Sequence, residues 1–393
     1  MKERGVFFIC LIFLVVSSYG QTWDNLKRLT YNSGESRSPV VAVDSSNVVH
    51  VVWYDNTNGT YDIYYKSGTH GGTGIWSMLK RLTWTSGSAM HPCIGIDPSN
   101  DNIHIVYTDN STGNYELYHK MSTDGGSTWS SPDRITWSSG KTDYPSFVVD
   151  ENGWLRLVYD DDTSGAHEVY YKERNGLGNW VELRRLSWSS GDAEYPWIRI
   201  DSNPVFHVVW QDNDSGKTQL IYKYSSDWGN SWSSREQITW STGGAFKPKF
   251  EIDPIDRIRL SYYELIGGIC QICYKENLGY GWVGYRRLTY AGSFCLHPTI
   301  AVGGADPYDL HVVYMYNNDL YHKLSTDQGA SWSSPTRVTY SSNECWYPQL
   351  VIQGPNEYLR LVYYAKTPGN REVYFKRGSI SSTTSSVYFE PKK

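Results

Sequence analysis

The chain has 393 residues, a formal net charge of −5 and an aromatic content of 15%, with 17 tryptophans and 33 tyrosines. Its 36 lysines and arginines are dispersed, so no basic stripe could neutralise a phosphate backbone, which argues against nucleic acid as a partner. So many large flat side chains are typical of proteins in which sheets pack face to face.

The first predicted element is a leader at residues 1–20. A positively charged start precedes an apolar run from Val6 to Val16, and a small-x-small cleavage site ends at Gly20. Because the run is short for a bilayer span, we expect a signal peptide and a mature N-terminus at Gln21. The expected location is secreted, periplasmic or cell-surface, without membrane insertion after cleavage; a retained anchor is the alternative.

After the leader the sequence repeats at intervals of 50–53 residues. Each copy has a proline followed by an apolar alternation, then a second strand such as His104-Ile-Val-Tyr107, then a third strand that ends in lysine. Short runs rich in Val, Ile, Tyr and Trp between polar turns predict an all-β fold. The prolines, which we expect to open the innermost strands, are Pro39, Pro92, Pro145, Pro196, Pro248, Pro298 and Pro348.

The fourth strand decides the architecture. Its clearest copy runs from Trp129 to Trp137, and the seventh repeat lacks one, whereas a similar strand, Trp23 to Tyr31, precedes the first repeat. Radial closure of repeated sheets removes their open edges. We therefore predict one domain at residues 21–378, a seven-bladed β-propeller of four-stranded antiparallel blades whose last blade is closed by the N-terminal strand. A polar tail is expected at 379–393.

Equivalent positions in different repeats predict contacts between blades. Arg199 and Glu251 each lie three residues after their proline in neighbouring repeats, so they are expected to pair across the boundary. Cys295 and Cys345 also occupy equivalent places, where a disulfide and two buried thiols are both compatible with the sequence. A regular set of outer-strand arginines favours inter-blade hydrogen bonds: Arg28, Arg81, Arg134, Arg185, Arg287 and Arg337.

The turns after the third strand carry a Ser-x-Asp-x-Gly-x-x-Trp motif in the second, fourth and sixth repeats. An Asp can accept hydrogen bonds from its own turn, and Gly can take the positive-φ position. The motif resembles the Asp-box of the BNR-repeat, sialidase-like propeller families. That resemblance implies a structural role on the face opposite the ligand site. The motif residues are Asp124, Trp129, Asp227, Trp232, Asp327 and Trp332.

The residues just before the prolines are expected to ring the mouth of the central channel. They vary between repeats, as a grafted binding site would, although variable surface loops are the alternative interpretation. The predicted ligand-binding residues at this mouth are Arg37, His91, Tyr144, Glu194, Tyr195, Lys247, His297, Trp346 and Tyr347. The two histidines are expected to weaken their hydrogen bonds on protonation near pH 6.

Two classes of function fit these patterns. The first is an exported, non-enzymatic propeller that binds a glycan or an extracellular protein at the channel mouth, as a monomer. The second, suggested by the resemblance, is an exo-sialidase-type glycoside hydrolase acting on terminal sugars, for which Glu194 beside Tyr195 would be the place to seek a nucleophile. No catalytic residue or metal site is assigned and no cofactor is expected; calcium in Asp-rich hairpins such as Asp160-Asp161-Asp162 is the alternative.

Overall fold

A computed structural model describes residues 19–279, 281–303, 308–340, 344–353, 358–366 and 369–382. In these ranges the chain is built from antiparallel strands, with one 3₁₀ turn at His70–Gly72. No helix in them is long and apolar enough to cross a membrane.

The strands of the described chain form seven sheets, and in each sheet the strands follow one another from the innermost to the outermost. The first blade consists of β3 (Ser36–Val43), β4 (Val49–Asn58), β5 (Thr60–Gly68) and β6 (Lys80–Arg81). The second consists of β7 (Ala89–Ile96), β8 (Ile103–Asp109), β9 (Glu116–Ser122) and β10 (Asp133–Arg134). The third consists of β11 (Thr142–Val149), β12 (Leu155–Asp161), β13 (Glu168–Arg174) and β14 (Trp180–Arg185).

The next three blades repeat this arrangement. The fourth consists of β15 (Ala193–Ile200), β16 (Phe206–Asp212), β17 (Gln219–Ser225) and β18 (Glu236–Gln237). The fifth consists of β19 (Ala245–Ile252), β20 (Ile258–Ile266), β21 (Ile269–Asn277) and β22 (Trp282–Arg287). The sixth consists of β23 (Cys295–Gly303), β24 (Asp309–Tyr316), β25 (Asp319–Ser325) and β26 (Thr336–Arg337).

The seventh blade joins the two ends of the described chain, which confirms the predicted closure. It consists of β27 (Cys345–Gln353), β28 (Tyr358–Lys366) and β29 (Arg371–Ser382), together with β1 (Tyr19–Trp23) and β2 (Lys27–Arg28). Strand β2 pairs with β29 at Lys27↔Phe375 and Arg28↔Tyr374. Strand β1 pairs with the last residues of β29, from Gly378 to Ser382. Since β27 also packs against β3, the ring is closed.

Each innermost strand begins three residues before its proline, so the expectation that the prolines open these strands is wrong. In β11, Asp143 faces Asp160 and Ser146 faces Val158, so the register shifts across Tyr144-Pro145. The other six inner strands shift in the same place. A proline has no N–H to give to the ladder, and a bulge is where a strand tolerates one.

The blades are joined by one aromatic contact at every boundary. A tryptophan from the outer part of each blade packs against a third-strand ring of the preceding blade, as Trp129 does on Tyr65, with ring centroids 5.2 Å apart. The N-terminal Trp23 makes the corresponding contact with His322, at 6.2 Å. The other five pairs are Trp76–Phe375, Trp180–His119, Trp232–Tyr171, Trp282–Tyr222 and Trp332–Tyr274.

Third-strand lysines, rather than the predicted outer-strand arginines, make a recurring hydrogen bond between neighbouring blades. Lys172 at the end of the third strand donates from Nζ to the Ile135 carbonyl of the preceding blade at 2.8 Å, and Lys66, Lys275, Lys323 and Lys376 do the same at their boundaries. The arginine prediction is wrong because each guanidinium turns back onto its own blade. Arg134, for example, donates to Glu116 at 2.9 Å.

Candidate functional site

The site begins with a backbone anomaly that recurs in every blade. The seven residues that precede the prolines all have positive φ, between 44° and 53°. Non-glycine residues rarely adopt this conformation, and it persists only where the surroundings impose it. The bulge of each inner strand imposes it here and turns the side chain toward the channel. These seven residues, called the mouth ring below, are Ser38, His91, Tyr144, Tyr195, Lys247, His297 and Tyr347.

The side chains of the mouth ring converge on one another. The rings of Tyr144 and Tyr195 lie 4.1 Å apart between centroids, and His91 stacks on Tyr144 at 4.7 Å. On the other side of the mouth, His297 and Tyr347 are 4.1 Å apart. The structure thus brings together aromatic groups that lie some 50 to 250 residues apart in the sequence.

Lys247 is the cation of the mouth ring. Its Nζ lies 4.8 Å from the ring centroid of Tyr195 and 5.1 Å from that of Tyr347, and it donates a hydrogen bond to the Tyr347 hydroxyl at 3.2 Å. Burial raises the pKa of Tyr195 to about 12. Burial together with the Lys247 charge lowers the pKa of His297 to about 3. His297 is therefore neutral near pH 6, and the prediction that it becomes protonated there is wrong.

A cavity of about 330 Å³ lies at this mouth. The mouth ring and the seven prolines line it, and Arg37 also contributes. Farther along the inner strands the wall is mixed: it includes the apolar Val41, Ile94, Phe147, Ile300 and Leu350 and the charged Arg199, Lys249 and Glu251. This volume is within the range of sites that bind small molecules.

Two of the predicted binding residues do not line the cavity. Glu194 accepts a hydrogen bond from Gln211 at 3.2 Å, and Trp346 packs its ring against His297 at 5.4 Å between centroids. Both precede a mouth-ring residue in a strand, where successive side chains point to opposite sides. The side chains of Glu194 and Trp346 therefore lie behind the mouth ring, on the side away from the cavity.

Sequence reasoning missed several cavity residues deeper in the channel. Lys249 lines the cavity two residues after Lys247, with Nζ 3.1 Å from the ring centroid of Trp197, and burial lowers the pKa of this amine well below its usual value. Beside it, Arg199 donates two hydrogen bonds to Glu251, at 2.7 and 2.6 Å. That contact confirms the predicted pair across the blade boundary. The period-two alternation of the inner strands was the signal that could have identified Lys249.

Acid–histidine pairs stand behind the mouth ring in the second and third blades. Asp143 accepts a hydrogen bond from His91 at 2.6 Å, and Asp160 pairs with His167 at 3.1 Å. Asp160 also accepts from the Tyr195 backbone N–H at 3.2 Å. The bond to Asp160 raises the pKa of His167 to about 9, so this imidazole is protonated at neutral pH.

The Asp-box turns have the geometry expected of them. Asp124 accepts the Thr128 backbone N–H at 2.8 Å, and Ser122 Oγ accepts the Gly126 N–H at 2.8 Å. Gly126 has a φ of 85°, and a Cβ there would stand 2.0 Å from the Tyr65 hydroxyl of the preceding blade. These turns join third to fourth strands, so they lie at the end of the blades opposite the mouth.

A second set of aromatic residues surrounds the mouth face at its outer edge. One follows the fourth strand of every blade, and each is 69–78% exposed. They are called the rim aromatics below: Tyr31, Trp84, Trp137, Trp188, Trp240, Tyr290 and Tyr340.

Within the described part of the chain, neither a cluster of metal-binding side chains nor a disulfide is found at this site. The described residues contain no group of three or more His, Cys, Asp or Glu side chains that could hold a metal ion. Cys295 is a buried thiol, and burial raises its pKa to about 11.

The chain is similar to known proteins in part of its sequence and in its fold. Residues 76–250 match the model of a BNR repeat-containing family member. No curated protein matches the sequence. Among solved structures, a PL25 polysaccharide lyase, an ulvan lyase, superposes with a TM-score of 0.65 at 14% identity over 89% of this chain and 95% of the lyase.

Two further structures show the same fold. The polysaccharide lyase Uly1 superposes with a TM-score of 0.58 at 12% identity, covering 95% of this chain and 94% of the lyase. Trypanosoma rangeli sialidase in complex with the inhibitor DANA superposes with a TM-score of 0.53 at 11% identity, covering 92% of this chain but 60% of the sialidase. The protein is a seven-bladed β-propeller, and residues 76–250 of it are similar to a BNR repeat-containing family.

Proposed function

We propose that this propeller binds a glycan in the mouth cavity and does not cleave sialosides. The observation that carries the proposal is the convergence of three tyrosines, two imidazoles and Lys247 over a cavity of about 330 Å³, from strained backbone positions. Flat rings with polar tips suit stacking under a sugar. The solved structures with this fold include enzymes named for polysaccharides and for sialic acid, which favours a carbohydrate ligand.

The small number of arginines that line the cavity argues against a sialidase. A sialic acid carboxylate calls for clustered arginines that make planar bidentate contacts. Among the described residues lining the cavity, the arginines are Arg37 and Arg199. Glu251 already occupies Arg199 with two hydrogen bonds, and Glu194 lies outside the cavity.

A polysaccharide lyase is the second candidate, because two lyases superpose over nearly their whole length. Elimination from a uronic acid needs a cation near the carboxylate, a base for the C5 proton and an acid for the leaving oxygen. Lys247, the imidazole of His297 and the phenol of Tyr347 lie together at the mouth and match those three requirements in kind. The lowered pKa of His297 makes its imidazole a weak base, which favours simple binding over this candidate. Ultraviolet absorbance of an unsaturated uronate, formed from ulvan by the protein and lost in Lys247→Met, would establish this candidate in place of simple binding.

The proposed ligand site leads to our first prediction. Simultaneous Tyr144→Ala, Tyr195→Ala and Tyr347→Ala should weaken binding of short oligosaccharides by about a hundredfold, since each stacked ring contributes about 1 kcal/mol or more. A glycan array identifies the ligand, and calorimetry measures its affinity. Tyr224→Ala is the matched control, because Tyr224 is exposed at the far end of the fourth blade.

Two results would contradict this function. Unchanged affinity in the triple variant would move the ligand away from the mouth. Release of a fluorescent aglycone from a sialoside, abolished by Tyr195→Phe or Glu194→Gln, would make the protein a sialidase.

We also propose that the protein is exported by way of the leader at residues 1–20 and acts as a monomer on extracellular glycans. Its positively charged start and apolar run support this location. N-terminal sequencing of the mature protein, with Gln21 first, is the expected result, whereas a chain that retains residues 1–20 would contradict it.

A further inference from the structure

The rim aromatics form the most regular exposed feature of the described surface. Every blade places one tryptophan or tyrosine after its outer strand, at least 69% exposed in each case. Another repeated aromatic set, the boundary tryptophans, is packed against neighbouring blades. Packing between blades therefore explains why the boundary tryptophans recur. It does not explain why the exposed rim aromatics recur.

A positively charged side chain lies over the ring of each rim aromatic. At Trp137, the Arg134 guanidinium lies 5.4 Å from the ring centroid. That guanidinium is itself fixed, because it donates to the Thr136 carbonyl at 2.7 Å and to Glu116 at 2.9 Å. Arginines stack in the same way on five other rim aromatics. A lysine of the next blade also lies near two of these rings, with Nζ 5.9 Å from the centroid of Trp137 and 5.4 Å from that of Trp188. Both rings nevertheless remain about 70% exposed.

The rim aromatics and the cavity lie on the same face of the propeller. Trp137 is followed by the loop 138–141, and β11, whose bulge carries Tyr144, begins at Thr142. The same short connection joins outer to inner strand at the other boundaries whose connecting residues the structure describes. The mouth is thus surrounded by a wider circle of aromatic platforms, one per blade.

The chemistry around the platforms favours sugar over protein. Docking of a protein needs a contiguous apolar patch, whereas each rim aromatic is separated from the next by a whole blade. Polar loops follow the platforms, and in two of them an exposed serine, Ser86 or Ser139, lies two residues after the tryptophan, where its hydroxyl can hydrogen-bond to a sugar stacked on the ring.

We propose that the rim aromatics dock an extended polysaccharide chain, several sugar units long, on the mouth face outside the cavity. The proposal stands independently of any ligand in the cavity. Successive platforms bind units of one chain, so the second contact is intramolecular and the affinities multiply.

Affinity electrophoresis in native gels tests this docking. Gels containing ulvan, alginate or hydroxyethylcellulose are run with the full chain and with the combined variant Trp84→Ser, Trp137→Ser, Trp188→Ser and Trp240→Ser. We expect at least one polysaccharide to retard the wild-type chain, each single change to raise the apparent Kd about threefold, and the combined variant to raise it about a hundredfold. The control, Ile75→Ser with Met78→Ser and Leu177→Ser, removes exposed apolar groups elsewhere and should leave retardation unchanged.

The outcomes separate docking from its alternatives. The mouth variant with three Tyr→Ala changes should lose oligosaccharide binding yet still be retarded, so the rim and the cavity can fail independently. A combined rim variant that melts at a lower temperature but is retarded like the wild type would make the rim aromatics structural and overturn the proposal. The proposal would also be overturned if none of the three gels retarded the wild-type chain. It would likewise be overturned if the wild-type chain were a dimer and the combined variant alone a monomer.

Discussion

At the scale of single residues, the mouth ring combines backbone strain with variable side chains. A left-handed conformation costs a non-glycine residue about 1–2 kcal/mol, and seven such residues encircle the channel. Each of these residues is followed by a proline, which has no N–H to donate to the β-ladder. The bulge therefore recurs whatever side chain precedes the proline. The scaffold thus fixes where the side chains lie and leaves their chemistry free to differ.

His167 provides a test at this scale. Its pKa is raised from 6.5 to about 9, chiefly by the hydrogen bond to Asp160. A group whose pKa is higher in the folded state stabilises the fold below its unfolded pKa, and the contribution disappears as pH rises through the folded value. The melting temperature should therefore fall between about pH 6.5 and pH 9.

Replacement of this histidine should remove that dependence. His167→Gln is expected to flatten the decline, whereas His70→Gln, at an exposed ring, should leave it intact. Calorimetric scans at half-unit steps of pH measure both variants. An unchanged slope in His167→Gln would show that the Asp160 contact does not hold the proton.

At the scale of elements, charged side chains of the inner strands pair across a blade boundary. Arg199 in β15 and Glu251 in β19 are joined by two hydrogen bonds across the boundary of the fourth and fifth blades. Lys249, two residues before Glu251, is half-buried nearby, and the loss of hydration there, followed by the Arg199 charge, lowers its pKa. Glu251 thus balances a local excess of cations.

This balance predicts a non-additive mutant cycle. Glu251→Ala should lower the free energy of unfolding by about 1–2 kcal/mol, because Arg199 and Lys249 then face each other without a carboxylate. The double change Arg199→Ala/Glu251→Ala should cost less than Glu251→Ala alone. Urea denaturation measures Glu251→Ala, Arg199→Ala and the double variant, and strictly additive losses would show that the pair is energetically uncoupled.

At the scale of the whole molecule, the N-terminal segment completes the ring. Leu29 donates its backbone N–H to Val373 at 2.8 Å, Arg28 pairs with Glu372 at 2.7 Å, and Trp23 fills the boundary with the sixth blade. Without these contacts the seventh blade would have an open edge, and open edges are unstable and prone to association.

A chain that begins at Asn32 should therefore unfold as a unit at a lower temperature. We expect the melting temperature to fall by about 10 °C or more, because several kcal/mol of packing and hydrogen bonding are removed together. Asn25→Ala with Lys27→Ala, at exposed positions of the same segment, is the control. A shortened chain that melts at the full-length temperature would refute the closing role.

The sequence by itself determined the repeat, the blade count and the closure, because these follow from periodic spacing and from one strand displaced between the two ends of the chain. It also located the mouth ring and the Arg199–Glu251 pair, since equivalent positions in a repeat lie at equivalent heights. Tertiary structure alone decided that Arg37 lines the cavity whereas Glu194 and Trp346, which hold the equivalent position in their blades, do not, because the packing partners of this position differ from blade to blade. It also decided that third-strand lysines rather than outer-strand arginines bridge the blades, since each of these arginines has an acidic or carbonyl partner within its own blade, and only packing shows which partner is nearer.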